Sequence, residues 1–189
     1  MQNWYTADTH FGHENIIPFC GRQFRHAGHM DSVLIENMWK VVLPDDDLWI
    51  IGDFAIGPKV NDPEYLHILF GQLPGARKHL VVGNHDHTPT LALPWDTVSD
   101  LTEVRDGPDG LTHTLCHYPM ITWNGAREGA LQLFGHVHNN WQGSRNAVNV
   151  GVDQWEFMPV SFERIAERAK RLPVNQHWGD VEQTSLICR

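Results

Sequence analysis

The chain has 189 residues and a formal net charge of −9 with histidine counted as neutral, and 41% of its residues are apolar. This length suits one domain with its own hydrophobic core and leaves little room for a separate cap domain. The acidic balance argues against a broad basic face that binds duplex nucleic acid, although bound metal ions would still attract a single phosphate group.

The sequence carries no signal for a membrane or for secretion. No apolar run reaches the roughly 18 residues of a membrane-spanning helix, and the first residues lack a secretory signal. Three widely spaced cysteines, Cys20, Cys116 and Cys188, argue against a disulfide framework. We therefore expect a cytoplasmic protein with no membrane partner. The unusual feature is the count of 13 histidines, whose positions must be examined.

The first half of the chain predicts alternating strands and helices. A short extended run at residues 4–7 leads into the first polar cluster. Apolar residues at helical spacing predict a helix from about Asp31 as N-cap. An apolar strand follows at residues 48–51. Asp62, followed by proline, predicts the start of a second helix, and residues 79–82 predict the next strand.

In the second half the period changes to that of strands. Residues 97–105 and 111–117 read as two strands around a turn rich in glycine and proline. Residues 131–134 and 147–150 are further strands, and Ser161 begins the last helix. We expect one domain over residues 1–172. The C-terminal tail, 173–189, has no clear period and is expected to be loose or to lie over the domain edge.

Polar clusters follow the ends of several predicted strands. In sheets flanked by helices, ligands gather at the carboxyl ends of strands, so these clusters could converge on one site. The first is Asp8-Thr9-His10, in which an extended chain would direct Asp8 and His10 to the same side. Asp53 follows the strand at 48–51. Either cluster alone would be read as an ordinary polar turn.

The segment Gly83-Asn84-His85-Asp86 is a stronger signal. The amide oxygen of Asn84 can bind a divalent ion, and glycine allows a close turn of the backbone. His85 would then lie beside the metal without binding it, with Asp86 accepting a hydrogen bond from its far ring nitrogen. Taken alone, a polar turn with a capping asparagine remains the simpler interpretation.

Three more histidines follow strands in the second half. His117 ends a strand, so that Cys116 before it would face the core and act as a structural residue. His136 and His138 are two residues apart, which would direct both imidazoles to one side. A His-x-His pair after an apolar strand is more often a metal site than a coincidence.

Together these clusters supply seven candidate ligands with oxygen and nitrogen donors and no cysteine. Closed structural zinc sites usually use sulfur, whereas mixed ligands of this kind suit manganese, iron, zinc or nickel. Seven ligands are too many for one tetrahedral ion and about right for two ions that share a carboxylate.

The ordered set resembles the calcineurin-like metallophosphoesterase superfamily. The resemblance rests on five motifs in the expected order: Asp8-x-His10, Gly52-Asp53, Gly83-Asn84-His85-Asp86, His117 and Gly135-His136-x-His138. They span residues 8–138, nearly the whole domain. The chain looks closest to small stand-alone members of bacterial and phage type, which it also resembles in Asp8-Thr9-His10-Phe11-Gly12-His13 and Asn149-Val150-Gly151-Val152-Asp153.

The resemblance implies an α/β fold of four layers, in which two mixed β-sheets pack face to face between helices. It also implies a ligand assignment. The first metal would be held by Asp8, His10, Asp53 and His138. Asp53 would bridge to a second metal, whose other ligands would be Asn84, His117 and His136. His85 would be the catalytic histidine that binds no metal, supported by Asp86.

The predicted function is hydrolysis of phosphate mono- or diesters of nucleotides or other small molecules. The nucleophile would be a hydroxide that bridges two divalent ions, with manganese the first expectation and iron, zinc or nickel the alternatives. His85 would be the general acid. The motifs do not separate a monoester phosphatase from a phosphodiesterase.

The alternative is a non-catalytic interaction module that is stabilised by metal on the same fold. Such a module should lack ligands or the catalytic histidine, and this chain keeps all of them.

Substrate contacts are harder to predict. His13 and Arg25 are candidates for a phosphate contact, as is Arg22, while Tyr118 or Trp123 could stack on a base. For His13 the simpler interpretation is that it supports the metal ligands without touching the substrate. For the arginines and the aromatic residues it is ordinary packing or a solvated loop. The expected partner is a small phosphorylated substrate, with a nucleotide as one candidate, in an open site.

Overall fold

The two predicted sheets are present in the computed structural model, which describes residues 1–181. Cys188 and the end of the predicted tail lie outside the described residues. The strands are β1 (Asn3–Thr6), β2 (Asp47–Ile51), β3 (Arg77–Val81), β4 (Thr97–Ser99), β5 (Leu101–Asp106), β6 (Leu111–Cys116), β7 (Gln132–Phe134), β8 (Ala147–Asn149) and β9 (Val160–Ser161). The helices are α1 (Ile16–Cys20), α2 (Ala27–Val41), α3 (Pro63–Gly71), α4 (Thr88–Leu91), α5 (Phe162–Arg171) and α6 (Trp178–Val181).

The first sheet has the strand order β4-β3-β2-β1-β9, in which β1 to β4 are parallel and β9 is antiparallel. All five residues of β2 are buried, as expected for a central parallel strand that is covered on both faces. Because β1, β2 and β3 run in the same direction, their carboxyl ends lie along one edge. The polar clusters that follow these strands therefore come together there.

The second sheet has the order β5-β6-β7-β8, with β5 antiparallel to β6 and the remaining pairs parallel. The prediction of a single strand over residues 97–105 is wrong. The chain divides at Asp100, where β4 ends its pairing with β3 in the first sheet and β5 begins its pairing with β6. Alternation along the sequence shows that residues are extended, but not which sheet they join.

The two sheets pack face to face. Trp49, Ile51 and Val81 of the first sheet share one apolar cluster with Leu115 and Leu133 of the second. Helices α2 and α3 cover the other face of the first sheet through a second cluster, and α5 packs against β1, β8 and β9. Helix α6 packs against the cluster on the outer side of the second sheet. The predicted α/β sandwich of two sheets between helices is confirmed.

The helix starts were predicted with mixed success. Asp62 caps α3 as predicted and accepts the backbone N–H of Glu64 at 3.0 Å. The prediction of Asp31 as an N-cap is wrong, because α2 begins at Ala27 after His26, whose ring nitrogen accepts the cap hydrogen bond. Asp31 lies inside the helix and accepts the backbone N–H of Gly12 at 3.0 Å. It thus holds the turn that follows the first polar cluster.

Among residues 1–181, none of the helices is both long and apolar enough to cross a membrane. The described part of the predicted tail contacts the domain. The carbonyl oxygen of Pro173 accepts the backbone N–H of Arg145 at 2.9 Å, and the rings of Trp178 and Trp123 lie 5.9 Å apart. The boundary at residue 172 stays a prediction.

Candidate metal centre

The strand ends bring the predicted ligands into two groups that could each hold a metal ion. One consists of Asp8, His10 and His138, and the other consists of Asp53, His117 and His136. In each group the potential ligand atoms lie within 4.8 Å of one another. His136 and His138 therefore belong to different groups, although they are only two residues apart in sequence.

Asp53 lies between the two groups. Its Oδ2 atom is 3.5 Å from Nε2 of His10 and 3.5 Å from Nε2 of His117. Its other oxygen accepts the backbone N–H of His85 at 2.9 Å. Burial opposes ionisation, but the hydrogen bond and the charge of His117 lower the pKa of Asp53 to about 2. One ionised carboxylate oxygen is thus within reach of ligands from both groups.

The second group has a donor arrangement that calls for a cation. Nδ1 of His117 lies 2.9 Å from the carbonyl oxygen of Ile51, which can only accept, so Nδ1 carries a proton. In the neutral ring, Nε2 then presents a lone pair to Oδ2 of Asp53 and to Oδ1 of Asn84, which is 3.2 Å away. Three electron-rich atoms converge here. Burial lowers the pKa of His117, but the carboxylate of Asp53 raises it above its usual value. A proton on Nε2 of His117 would relieve the repulsion between these electron-rich atoms.

The first group is equally suited to a cation. Among the described residues, neither ring nitrogen of buried His10 has a hydrogen-bond partner, and burial lowers its pKa to about 2. Burial raises the pKa of Asp8 to about 6, even though its carboxylate accepts the backbone N–H of His136 at 3.0 Å. A buried imidazole whose nitrogens lack a hydrogen-bond partner is unfavourable, and so is a buried carboxylate with no cation beside it. A metal ion between them would satisfy both.

Left-handed backbone marks five of the seven predicted ligands. Positive φ is a conformation that costs a residue other than glycine about 1 kcal/mol or more. It occurs at Asp8 (56°), His10 (51°), Asp53 (55°), His136 (70°) and His138 (48°). Alternation along an extended strand is therefore not what brings Asp8 and His10 together. The strands end before the ligands, and strained turns direct the side chains.

Two glycines are required by contact between the motifs. A Cβ atom on Gly52 would lie 2.1 Å from Nδ1 of His117, at a position where φ is +84°. A Cβ atom on Gly135 would lie 2.7 Å from Oδ2 of Asp8. At each position a predicted ligand from another motif occupies the space that a side chain would need, so glycine is required there.

Asp86 has a different role from the one predicted. Its carboxylate does not hold the ring of His85. It accepts backbone N–H groups from Asp53 at 2.8 Å, Phe54 at 3.0 Å and Gly83 at 2.9 Å. Asp86 thus ties the turn after β2 to the turn after β3 and fixes the backbone of Asp53. The half-buried ring of His85 packs edge-on to that of His10, with the ring centroids 5.5 Å apart.

The partners that hold His138 were not predicted from the sequence. Oδ2 of Asp153 lies 3.1 Å from Nδ1 of His138, and both Asp153 oxygens accept from the buried guanidinium of Arg22 at 2.8 Å. Arg22 also donates to the carbonyl oxygen of Asp8 at 2.8 Å. It is therefore a structural residue beneath the site, consistent with the simpler interpretation of Arg22. Asp153 is the last residue of Asn149-Val150-Gly151-Val152-Asp153, but nothing local in the sequence links it to Arg22.

Cys20, His138 and Asp153 form a third group with ligand-like spacing. Arg22 already supplies the positive charge that Asp153 needs, through two hydrogen bonds of 2.8 Å. A third cation is therefore not required to neutralise this group.

Cys116, which was predicted to face the core, is half-buried.

The remaining substrate candidates lie in different surroundings. His13 lines a cleft beside the first group, and its ring centroid is 5.4 Å from that of His10. Arg25 is exposed and does not line that cleft. The ring of Tyr118, 45% exposed, packs edge-on to that of His136. Trp123 is buried in a core cluster, so the packing interpretation applies to it.

Comparisons with known proteins place the chain among relatives from bacteria, phages and archaea. The crystal structure of a protein of unknown function from Aquifex aeolicus matches with a TM-score of 0.69 and 30% identity, over 88% of this chain and 98% of that one. The gene 66 protein of Mycobacterium phage D29 is 29% identical over 87% of this chain and 94% of its own. An uncharacterized protein of Methanocaldococcus jannaschii is 28% identical, over 85% of this chain and 87% of its own. No family model matches the chain. The chain belongs to the same family as the Aquifex aeolicus protein.

Proposed function

We propose that this chain is a dinuclear-metal phosphoesterase of the calcineurin-like metallophosphoesterase superfamily, which hydrolyses phosphate mono- or diesters. The observation that carries the proposal is the position of Asp53, whose Oδ2 is 3.5 Å from a histidine nitrogen of each ligand group. A carboxylate between two mixed nitrogen and oxygen groups is suited to bridging two divalent ions. The ordered motifs support the same assignment.

Each of the two ligand groups would hold one metal ion. His10, His138 and Asp8 would hold one ion, His117, His136 and Asn84 the other, and Asp53 would bind both. When bound, two such ions lower the pKa of water and offset the charge of the phosphate oxygens. Manganese is the ion we propose first, with iron, zinc or nickel as alternatives, since the donors are imidazole, carboxylate and amide without thiolate.

The chain itself supplies the proton for the leaving group through His85. Its ring lines the cleft beside the first group, and its backbone N–H is fixed on Asp53 at 2.9 Å. A leaving oxygen next to this ring could take a proton from it as the bond to phosphorus breaks. His13, on the same cleft, is proposed to contact the substrate, whereas exposed Arg25 has no support from its position.

The reaction class is tested by turnover. The metal-loaded protein would be offered nucleotides, cyclic nucleotides, other phosphodiesters and phosphopeptides, each with manganese, zinc, iron or nickel. We expect multiple turnovers on at least one ester with bound metal near two ions per chain. Bound metal without turnover on any ester would favour the alternative, a non-catalytic metal-stabilised module.

A further inference from the structure

The cleft beside the first ligand group is lined by side chains of different chemical kinds. Its volume is about 450 Å³, and its lining includes the imidazoles of His13 and His85. The lining also includes the apolar side chains of Ile16, Phe19 and Ile56. Because His85 is the proposed proton donor, the group that leaves with the proton must lie in this cleft. Its lining therefore reports the chemistry of the leaving group.

The lining carries no side chain with a permanent charge. Among the described residues that form it, none is Asp, Glu, Lys or Arg. Apart from its imidazoles and Cys20, the lining consists of apolar side chains and the neutral amides of Asn139 and Asn140, which suit a leaving group with an apolar face and uncharged polar atoms. The cleft is therefore matched to an uncharged group.

Phe19 offers that group a flat apolar surface. Its side chain is 76% exposed, although it lines the cleft on helix α1. The helix is held in place from two sides. Ile16 is buried in the core, and the carbonyl oxygen of Cys20 accepts the side-chain amide of Asn139 at 3.0 Å. An exposed aromatic ring on a fixed helix is a stacking platform for a planar ring.

We propose that the cleft binds the nucleoside part of a nucleotide, with the base stacked on Phe19. This inference rests on the proposed function, since it assigns the leaving group of the same reaction. Water forms the new bond to phosphorus, the bond from phosphorus to the nucleoside oxygen breaks, and that oxygen gains a proton from His85. The proton that the attacking water loses balances the one that His85 gives up, so that His85 is protonated again after the reaction. The products are a nucleoside and a phosphate, so sugar phosphates without a base are poor substrates.

The test compares two esters with the same leaving oxygen. Adenosine 5′-monophosphate and ribose 5-phosphate both release a primary alcohol of ribose, and only the first carries a base. Base stacking corresponds to about a 5- to 150-fold preference in kcat/KM for the nucleotide. Phe19→Ala should remove most of this preference through a higher KM, Phe19→Trp should keep it, and ribose 5-phosphate should be unaffected. If the enzyme accepts only diesters, the same comparison is made with the methyl esters of adenosine 5′-monophosphate and ribose 5-phosphate.

The matched control is Ile68→Ala. Ile68 is also an exposed apolar residue, but it lies on α3, outside the cleft. A second readout is calorimetry of the metal-loaded protein with adenosine and with ribose. Adenosine should bind, Phe19→Ala should weaken it, and ribose should not bind.

The two hypotheses fail in different ways. Turnover of both esters with equal kcat/KM, without adenosine binding, would overturn the cleft assignment and leave the phosphoesterase intact. Absence of turnover on every ester, with adenosine binding that depends on Phe19, would instead overturn the proposed reaction and support the cleft.

Discussion

Replacing His85 by alanine removes an imidazole from the cleft while leaving the backbone contact of residue 85 in place. The N–H that donates to Asp53 at 2.9 Å belongs to the main chain, so the carboxylate between the two groups keeps this partner. The His85 side chain is half-buried and packs on His10 by ring contact. We therefore expect a change in stability of about 0.5 kcal/mol or less and unchanged metal content.

The expected loss depends on the leaving group. An alkoxide such as a ribose oxygen leaves poorly without a proton, whereas p-nitrophenolate leaves readily as an anion. His85→Ala should slow the alkyl ester by the ~10²–10⁴-fold that general acid catalysis supplies, and the p-nitrophenyl ester much less. The assay measures kcat on both esters together with metal content by elemental analysis.

The matched control is His87→Ala, two residues away, which removes an exposed imidazole without a capping hydrogen bond. It should leave both rates unchanged. Equal losses on the two esters with metal retained would refute the proton-transfer role and point to stabilisation of the phosphoryl oxygens. Loss of metal from His85→Ala would show that His85 is a ligand.

Three further predictions concern the metal centre. Chelation should abolish hydrolysis and manganese should restore it; full activity in chelator, with no metal found by elemental analysis, would contradict the proposal. Asp53→Asn should lower metal content and cause a large loss of activity. The control, Asp62→Asn, changes a helix cap at which asparagine caps equally well, so it should cost far less activity. Equal small losses from the two variants would show that Asp53 lies in an ordinary turn. Asp153→Asn should weaken metal affinity about 10- to 100-fold, because it frees the ring of His138. It should also lower the free energy of unfolding by about 3 kcal/mol, because buried Arg22 loses its ion pair. Urea unfolding and metal titration would check both effects, and unchanged values would rule out this positioning role.

The sequence was informative where the signal is local. Asp62 followed by proline predicted the start of α3, because a cap needs only the backbone of the next residues. The apolar runs predicted β2 and β3, because buried parallel strands carry continuous apolar residues. The order of the motifs predicted which side chains would meet, since parallel strands end at one edge of a sheet. The two ligand groups contain six of the seven predicted ligands, and Asn84 contacts His117.

The tertiary structure decided whatever depends on a partner far away in sequence. Asp86 had a plausible neighbour in His85, yet its hydrogen bonds go to the backbone of Gly83 and of Asp53, the latter 33 positions away. Arg22 and Asp153 are 131 positions apart, and no periodicity can pair them. The split at Asp100 has the same origin, because a strand joins whichever sheet offers it an unpaired edge. Spacing along the chain determines which residues form a helix, a strand or a turn, whereas the packing of distant strands determines which buried charges and backbone groups face each other.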